Sequence, residues 1–188
     1  MATFLSRTRT VGSVALLGCV ALWPAAVASQ EVPEATVKAG FLYNFAKFTE
    51  WPATRLPAGA PVVFCVSDPP VAEDLHALVS GLSISNHRLR VKQVRPDDLL
   101  ADCAVLYITD IDARRARPLL ASLTRDNVLS VSDIAGFTDV GGVIRIYPER
   151  GRLRFEINVT AAARANLRLG SQLLGLAPLV KDRIDDLP

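Results

Sequence analysis

The chain is poor in the residue types that most often carry chemistry or staple small folds. Among 188 residues there are two histidines, His76 and His87, which leave little room for a histidine-ligated metal centre. Three cysteines are too few for a disulfide scaffold or a Cys-rich zinc site. A formal net charge of +2 does not mark a nucleic-acid binder, which gathers Lys and Arg on one face. The dinucleotide fingerprint G-x-G-x-x-G, the phosphate-binding G-x-x-x-x-G-K-[ST] and the nucleophile elbow G-x-S-x-G are all missing. No internal repeat, low-complexity segment or charge block appears. The expectation is therefore no catalytic residues, no cofactor, no metal and no nucleic-acid partner. What is there is a composition 50% hydrophobic and 21% charged, which excludes wholesale disorder and fits one domain at this length.

The first stretch stands apart. Arg7 and Arg9 precede an apolar run over residues 11–23, then Pro24 and Ala26-Val27-Ala28. A basic start, an apolar core and an A-x-A ending read as a secretory signal peptide over residues 1–28, cleaved after Ala28. The run is shorter than the roughly 20 residues that span a bilayer, which argues against a membrane anchor. Leu16-Leu17-Gly18-Cys19 loosely resembles a lipoprotein processing box, but the residues after Cys19 stay apolar where a tether is normally polar. Removing 28 residues leaves 160, spanning 29–188 as one domain. Lys plus Arg falls from 21 to 19 against 19 acids, so the net charge becomes zero. Two cysteines remain, Cys65 and Cys103. An even pair in an oxidising compartment reads as a disulfide, with two buried free thiols as the alternative.

Along the remaining chain, Pro33 and Glu34 suit a helix start, and Phe41, Phe45 and Phe48 form one aromatic stripe, off which Lys38 and Lys47 can sit. Trp51-Pro52 is expected to end that helix. Residues 62–66, 104–108 and 127–131 are short apolar runs of the kind buried on both faces of a parallel sheet. Residues 89–93 read as an edge or half-exposed strand. Helices are expected from Asp68-Pro69-Pro70 through Leu78, with Gly81 at the stop, and over residues 112–123, kinked or split by Pro118. Residues 143–147 and 153–157 alternate and are joined by a turn at 148–152, a β-hairpin with one wet face. A polar helix over 160–166 and a short helix over 171–179 complete the chain. Together these give an α/β fold, a three-layer α/β/α sandwich with a mixed, mostly parallel sheet and a C-terminal β-hairpin.

Few residues suggest chemistry. Asp110 and Asp112 follow a buried strand, where open α/β sheets often carry function, but a strand-end turn and a helix N-cap explain them as well. His76 and His87 read as surface or half-buried, and Arg114, Arg115 and Arg117 as a solvated helix face. Asn158-Val159-Thr160 matches a glycosylation acceptor, a tripeptide common by chance. Phe137, bracketed by Gly136, Gly141 and Gly142, is either tucked into the fold or a partner contact.

Several segments together resemble one family. Residues 37–52, VKAGFLYNFAKFTEWP, are similar to the opening K-A-x-F-L-Y-N-F-x-K-F-x-x-W-P of YfiR-type periplasmic proteins. Val131-Ser132-Asp133-Ile134-Ala135-Gly136-Phe137, then Gly141-Gly142, then Arg154-Phe155-Glu156-Ile157-Asn158 match later blocks, and Ser171-Gln172-Leu173-Leu174 resembles the closing S-K-L-L. Cys65 and Cys103 fall where the family has a disulfide; some members carry a second cysteine pair near the hairpin, absent here. The resemblance implies a regulator rather than an enzyme. Such proteins bind and repress the periplasmic sensor part of a membrane-bound diguanylate cyclase, lowering cyclic-di-GMP and disfavouring biofilm. They can be sequestered by an OmpA-like outer-membrane lipoprotein, and their disulfide state tunes them. Phe45, Trp51 and Phe137 are the expected partner contacts, and a homodimer stays open. Two other classes compete: a small-ligand-binding accessory protein of another membrane sensor, such as a histidine kinase, and an acid-dependent hydrolase using Asp110 and Asp112.

Overall fold

The computed structural model describes residues 32–95, 98, 100–177 and 179–181. The expected signal peptide and Cys19 lie outside the described residues. The elements run α1 (Glu34–Lys47), β1 (Thr49–Glu50), β2 (Val62–Val66), α2 (Pro69–Val79), β3 (Ser83–Ile84), β4 (His87–Gln93), β5 (Val105–Ile108) and α3 (Ala113–Arg125). Then follow β6 (Leu129–Ser132), β7 (Ile144–Glu149), β8 (Arg152–Asn158), α4 (Val159–Arg164), β9 (Arg168–Leu169), α5 (Ser171–Leu176) and β10 (Leu179–Lys181). The main sheet has the order β10-β8-β7-β6-β5-β2-β4-β3, and a separate ribbon pairs β1 with β9. The pairs from β4 through β2, β5 and β6 to β7 are parallel; β7–β8 and β3–β4 are antiparallel. This is the mixed, mostly parallel sheet that the sequence implied.

Both faces of the central strands are covered, which is why β2, β5 and β6 are apolar almost throughout. Phe64, Val105, Tyr107 and Val131 face α1 and α2 and join one core, to which Ile146, Phe155 and Ala161 also belong. Cys65, Leu106 and Ile108 face the other way, onto Ala116, Leu120 and Leu123 of α3. Each interior helix is started by its own sequence. Asp68 accepts the Val71 N–H at the start of α2, with Pro69 and Pro70 at the first two positions. Asp112 accepts the Arg115 N–H at the start of α3. Pro118 neither splits α3 nor ends it. It lies on the exposed side, where water can serve the carbonyl its missing N–H would have met.

Four local expectations need correction. The first helix ends at Lys47, before Trp51-Pro52, because Thr49 turns its hydroxyl back to the Phe45 carbonyl and its backbone joins β9. Lys38 does not sit off the apolar stripe: it is buried, at a spacing of i, i+4 and i+7 with Leu42 and Phe45. The last helix stops at Leu176, and Leu179 belongs to β10, parallel to β8. The hairpin turn is also tighter than residues 148–152. Arg150 and Gly151 alone form it, both with positive φ, 49° and 74°, as a two-residue turn between twisted strands requires.

Candidate partner-docking groove

The β1–β9 ribbon connects the end of α1 to the segment between α4 and α5. Thr49 pairs with Leu169 and Glu50 with Arg168. The crossing is close: the Gly170 N–H donates to the Phe48 carbonyl at 2.8 Å, and a Cβ on Gly170 would lie 3.3 Å from that same oxygen. Beside the ribbon lies an open groove of about 570 Å³, lined by Glu50, Trp51, Pro52, Ala163, Asn166, Leu167 and Arg168. Trp51 is half-buried against the main core. Its indole Nε1 is shielded from water and has no acceptor among the described residues. An unanswered buried donor of this kind is unfavourable by about 1–3 kcal/mol. Glu50 and Arg168 flank it with opposite charges.

The other two expected contacts lie elsewhere. Phe45 is 1% exposed and stacks on Phe41 with ring centroids 5.7 Å apart, while Phe155 meets it edge-on at 5.0 Å. Phe137 is fully buried, and Gly142 lies against its ring so closely that a Cβ there would be 2.2 Å from two ring atoms. Neither presents a surface to a partner. Of the bracketing glycines, Gly142 makes room for the ring, whereas Gly136 and Gly141 serve turns with positive φ.

Buried polar contacts join the segments that carried the resemblance. Lys38 Nζ lies 2.8 Å from Asp133 Oδ2 and 2.8 Å from Glu34 Oε1, and the Tyr107 hydroxyl donates to the same Asp133 oxygen at 3.1 Å. Burial alone works against the Lys38 ammonium, but its bonds to Asp133 and Glu34 outweigh that and hold its pKa well above the ordinary value. Burial, with the Asp133 charge beside it, likewise pushes the Tyr107 phenol up. Thr138 Oγ1 donates to Glu156 Oε1 at 2.5 Å, and Asn158 Nδ2 donates to the Thr138 carbonyl while Asn158 Oδ1 caps α4 through the Ala161 N–H. The glycosylation-like tripeptide is therefore used structurally at its asparagine. The Lys38 cluster could have been suspected from a lysine lying in register with Leu42 and Phe45; its partner, 95 residues away, could not.

These contacts tie the opening block to the Ser-Asp block, and Thr138, just after that block, to the Arg154–Asn158 block. A model of YfiR/HmsC-like proteins matches residues 35–178. The chain belongs to the YfiR/HmsC-like family. Members are periplasmic regulators of the diguanylate cyclase pathway rather than catalysts. A solved structure titled as a conserved domain protein, from Vibrio cholerae O1 biovar El Tor strain N16961, shares the fold at 11% identity and a TM-score of 0.51. The match covers 79% of this chain and 60% of that one.

Cys65 and Cys103 are joined in a disulfide, both sulfurs buried on the α3 side, with Cα atoms 5.7 Å apart. Such a bond fits an oxidising compartment. Asp102 brings a carboxylate within 4.8 Å of both sulfurs, but with the sulfurs bonded to each other that trio offers no thiolate ligands. Asp110 is exposed with a φ of 61°, and Asp112 caps α3, its carboxyl held below the ordinary value by the Arg115 N–H. Neither lines the groove. Arg114, Arg115 and Arg117 are exposed, as is His76; His87 Nδ1 sits 2.7 Å from the Ala60 carbonyl oxygen.

Proposed function

We propose that this chain is a periplasmic repressor that binds the periplasmic sensor domain of a membrane-bound diguanylate cyclase and holds it inactive, lowering cyclic-di-GMP. The groove beside β1 and β9 is the contact, with Trp51 as its anchor. The observation that carries this reading is the half-buried Trp51 side chain lining an open groove formed partly by the opening family block. Large aromatic groups that lose water on docking dominate protein interfaces. Sequestration by an OmpA-like outer-membrane lipoprotein would relieve repression by competing for the repressor.

The test is a binding titration between the chain and the periplasmic domain of a cyclase encoded beside it. Trp51→Ala should weaken binding by about thirtyfold, the effect of losing one interface anchor. A folded Trp51→Ala protein that binds at full strength contradicts the assignment. A second reading has one specific support: the groove volume lies within the range of small-molecule sites. In that case the chain is a ligand-binding accessory of another membrane sensor, such as a histidine kinase. Loss of small-molecule binding with unchanged cyclase binding in Trp51→Ala would favour it.

A further inference from the structure

β4 is paired with β2 through residues 89–93. On its other side β3 reaches only His87 and Arg88. Among the described residues, then, residues 89–93 have no strand on their outer side. An open edge of this kind is a template for another strand. Its two faces differ sharply. Leu89 and Val91 pack on the core beside α2, while Arg88, Arg90 and Lys92 stand exposed on the opposite face, about 6.7 Å apart from one to the next.

The charges decide what could pair there. A second copy of this edge would set cations opposite cations, which is destabilising across strands. The same row of charge therefore protects the edge against self-association. An extended segment with acids on alternate residues meets no such penalty. Lys92 already takes a carboxylate from outside the sheet, Asp102 Oδ1 at 3.4 Å, with both groups largely exposed. α2 packs on β4, and Leu78 in its last turn and Leu82 just before β3 are exposed apolar side chains, at 43% and 42%. An added strand would thus flank cations on one face and the half-buried Leu89 and Val91 on the other.

We propose that the open edge of β4 receives an extended, acidic segment of a protein partner, with acidic residues alternating against Arg88, Arg90 and Lys92 and apolar residues on the other side. The proposal is independent of the Trp51 groove, which lies on a different pair of strands.

The test uses the whole chain and a short synthetic peptide that alternates Glu and Val. A peptide of the same composition with its acids in one block and vesicles containing phosphatidylglycerol serve as the comparison. The alternating peptide should bind, and binding should slow hydrogen exchange at alternate amides within residues 89–93. Arg90→Glu with Lys92→Glu should weaken it about tenfold, as attractive cross-strand pairs become repulsive. Both positions are exposed, and an unchanged melting temperature shows the variant folded. Equal binding of the block peptide, or binding without protection of residues 89–93, overturns the proposal. So does binding of the vesicles but not the peptide, or no binding at all.

Discussion

Gly142→Ala is a sensitive probe of how this fold is packed. The added Cβ would lie 2.2 Å from Cδ1 and Cε1 of Phe137 and 2.8 Å from Cγ, where ordinary contacts begin near 3.4 Å. The ring has no free space to enter, being fully buried among Leu106, Ile108 and the α3 side chains. The backbone at Gly142 is itself fixed, its N–H donating to the Phe137 carbonyl at 2.9 Å. Overpacking a core is unfavourable by about 1–3 kcal/mol, and a clash with a main-chain-borne atom belongs at the upper end, about 3 kcal/mol. For a domain of this size that lowers the melting temperature by about 6–12 °C. Phe137→Leu removes the ring edge that the methyl meets, so the double variant should be more stable than the sum of the singles implies, by about 2 kcal/mol. Urea denaturation of the four proteins measures this directly. A Gly142→Ala protein within about 0.5 kcal/mol of the parent, or strictly additive effects, refutes the packing account. The same proteins separate packing from contact. Folded Phe137→Leu should bind the cyclase domain at full strength, and a loss of affinity in a stably folded variant would make Phe137 a contact.

Other consequences can be checked independently. Peptide mapping without reductant should recover Cys65 joined to Cys103, and replacing both with Ala should lower stability by up to about 4 kcal/mol, the chain-entropy effect of freeing a separation of 38 residues. Lys38 and Tyr107 both have pKa values raised in the folded state. Their contributions are complete below the ordinary values of 10.5 and 10.0 and are lost as pH rises through the higher folded values. Stability should therefore fall in alkali above about pH 10, and Lys38→Met should lower stability at pH 7 and flatten that decline; an alkaline limb unchanged in Lys38→Met contradicts the cluster's role. Asn158→Asp keeps the acceptor that caps α4 but loses the donor to the Thr138 carbonyl, and should destabilise by about 1–2 kcal/mol in chemical denaturation.

What could be read in the chain, and what could not, divides by the range of the interactions. The buried runs at β2, β5 and β6, and the caps Asp68 and Asp112, are local patterns that the neighbouring residues settle. β1, β9 and β10 are two or three residues long, too short for any periodicity, and exist because remote backbone meets them. Thr49 reads as helix from its neighbours and as strand only once Leu169 lies opposite it. Phe45 looked like a contact because an aromatic stripe can face a core or a partner equally well. The hairpin and Phe155 supply the core. Trp51 was legible as a single tryptophan after the signal, but the groove beside it is made by Ala163, Leu167 and Arg168, more than a hundred residues away.

Repression of a membrane cyclase by docking of the folded chain on its periplasmic domain can be measured in one assay. The most direct measurement is cyclic-di-GMP synthesis by the intact cyclase, reconstituted in vesicles with its periplasmic domain outward and GTP enclosed, before and after the purified chain is added. Synthesis should fall as the chain is titrated, and Trp51→Ala should be needed at about thirtyfold higher concentration for the same effect. Synthesis that is unchanged at saturating chain, or suppressed equally by Trp51→Ala, would contradict this reading.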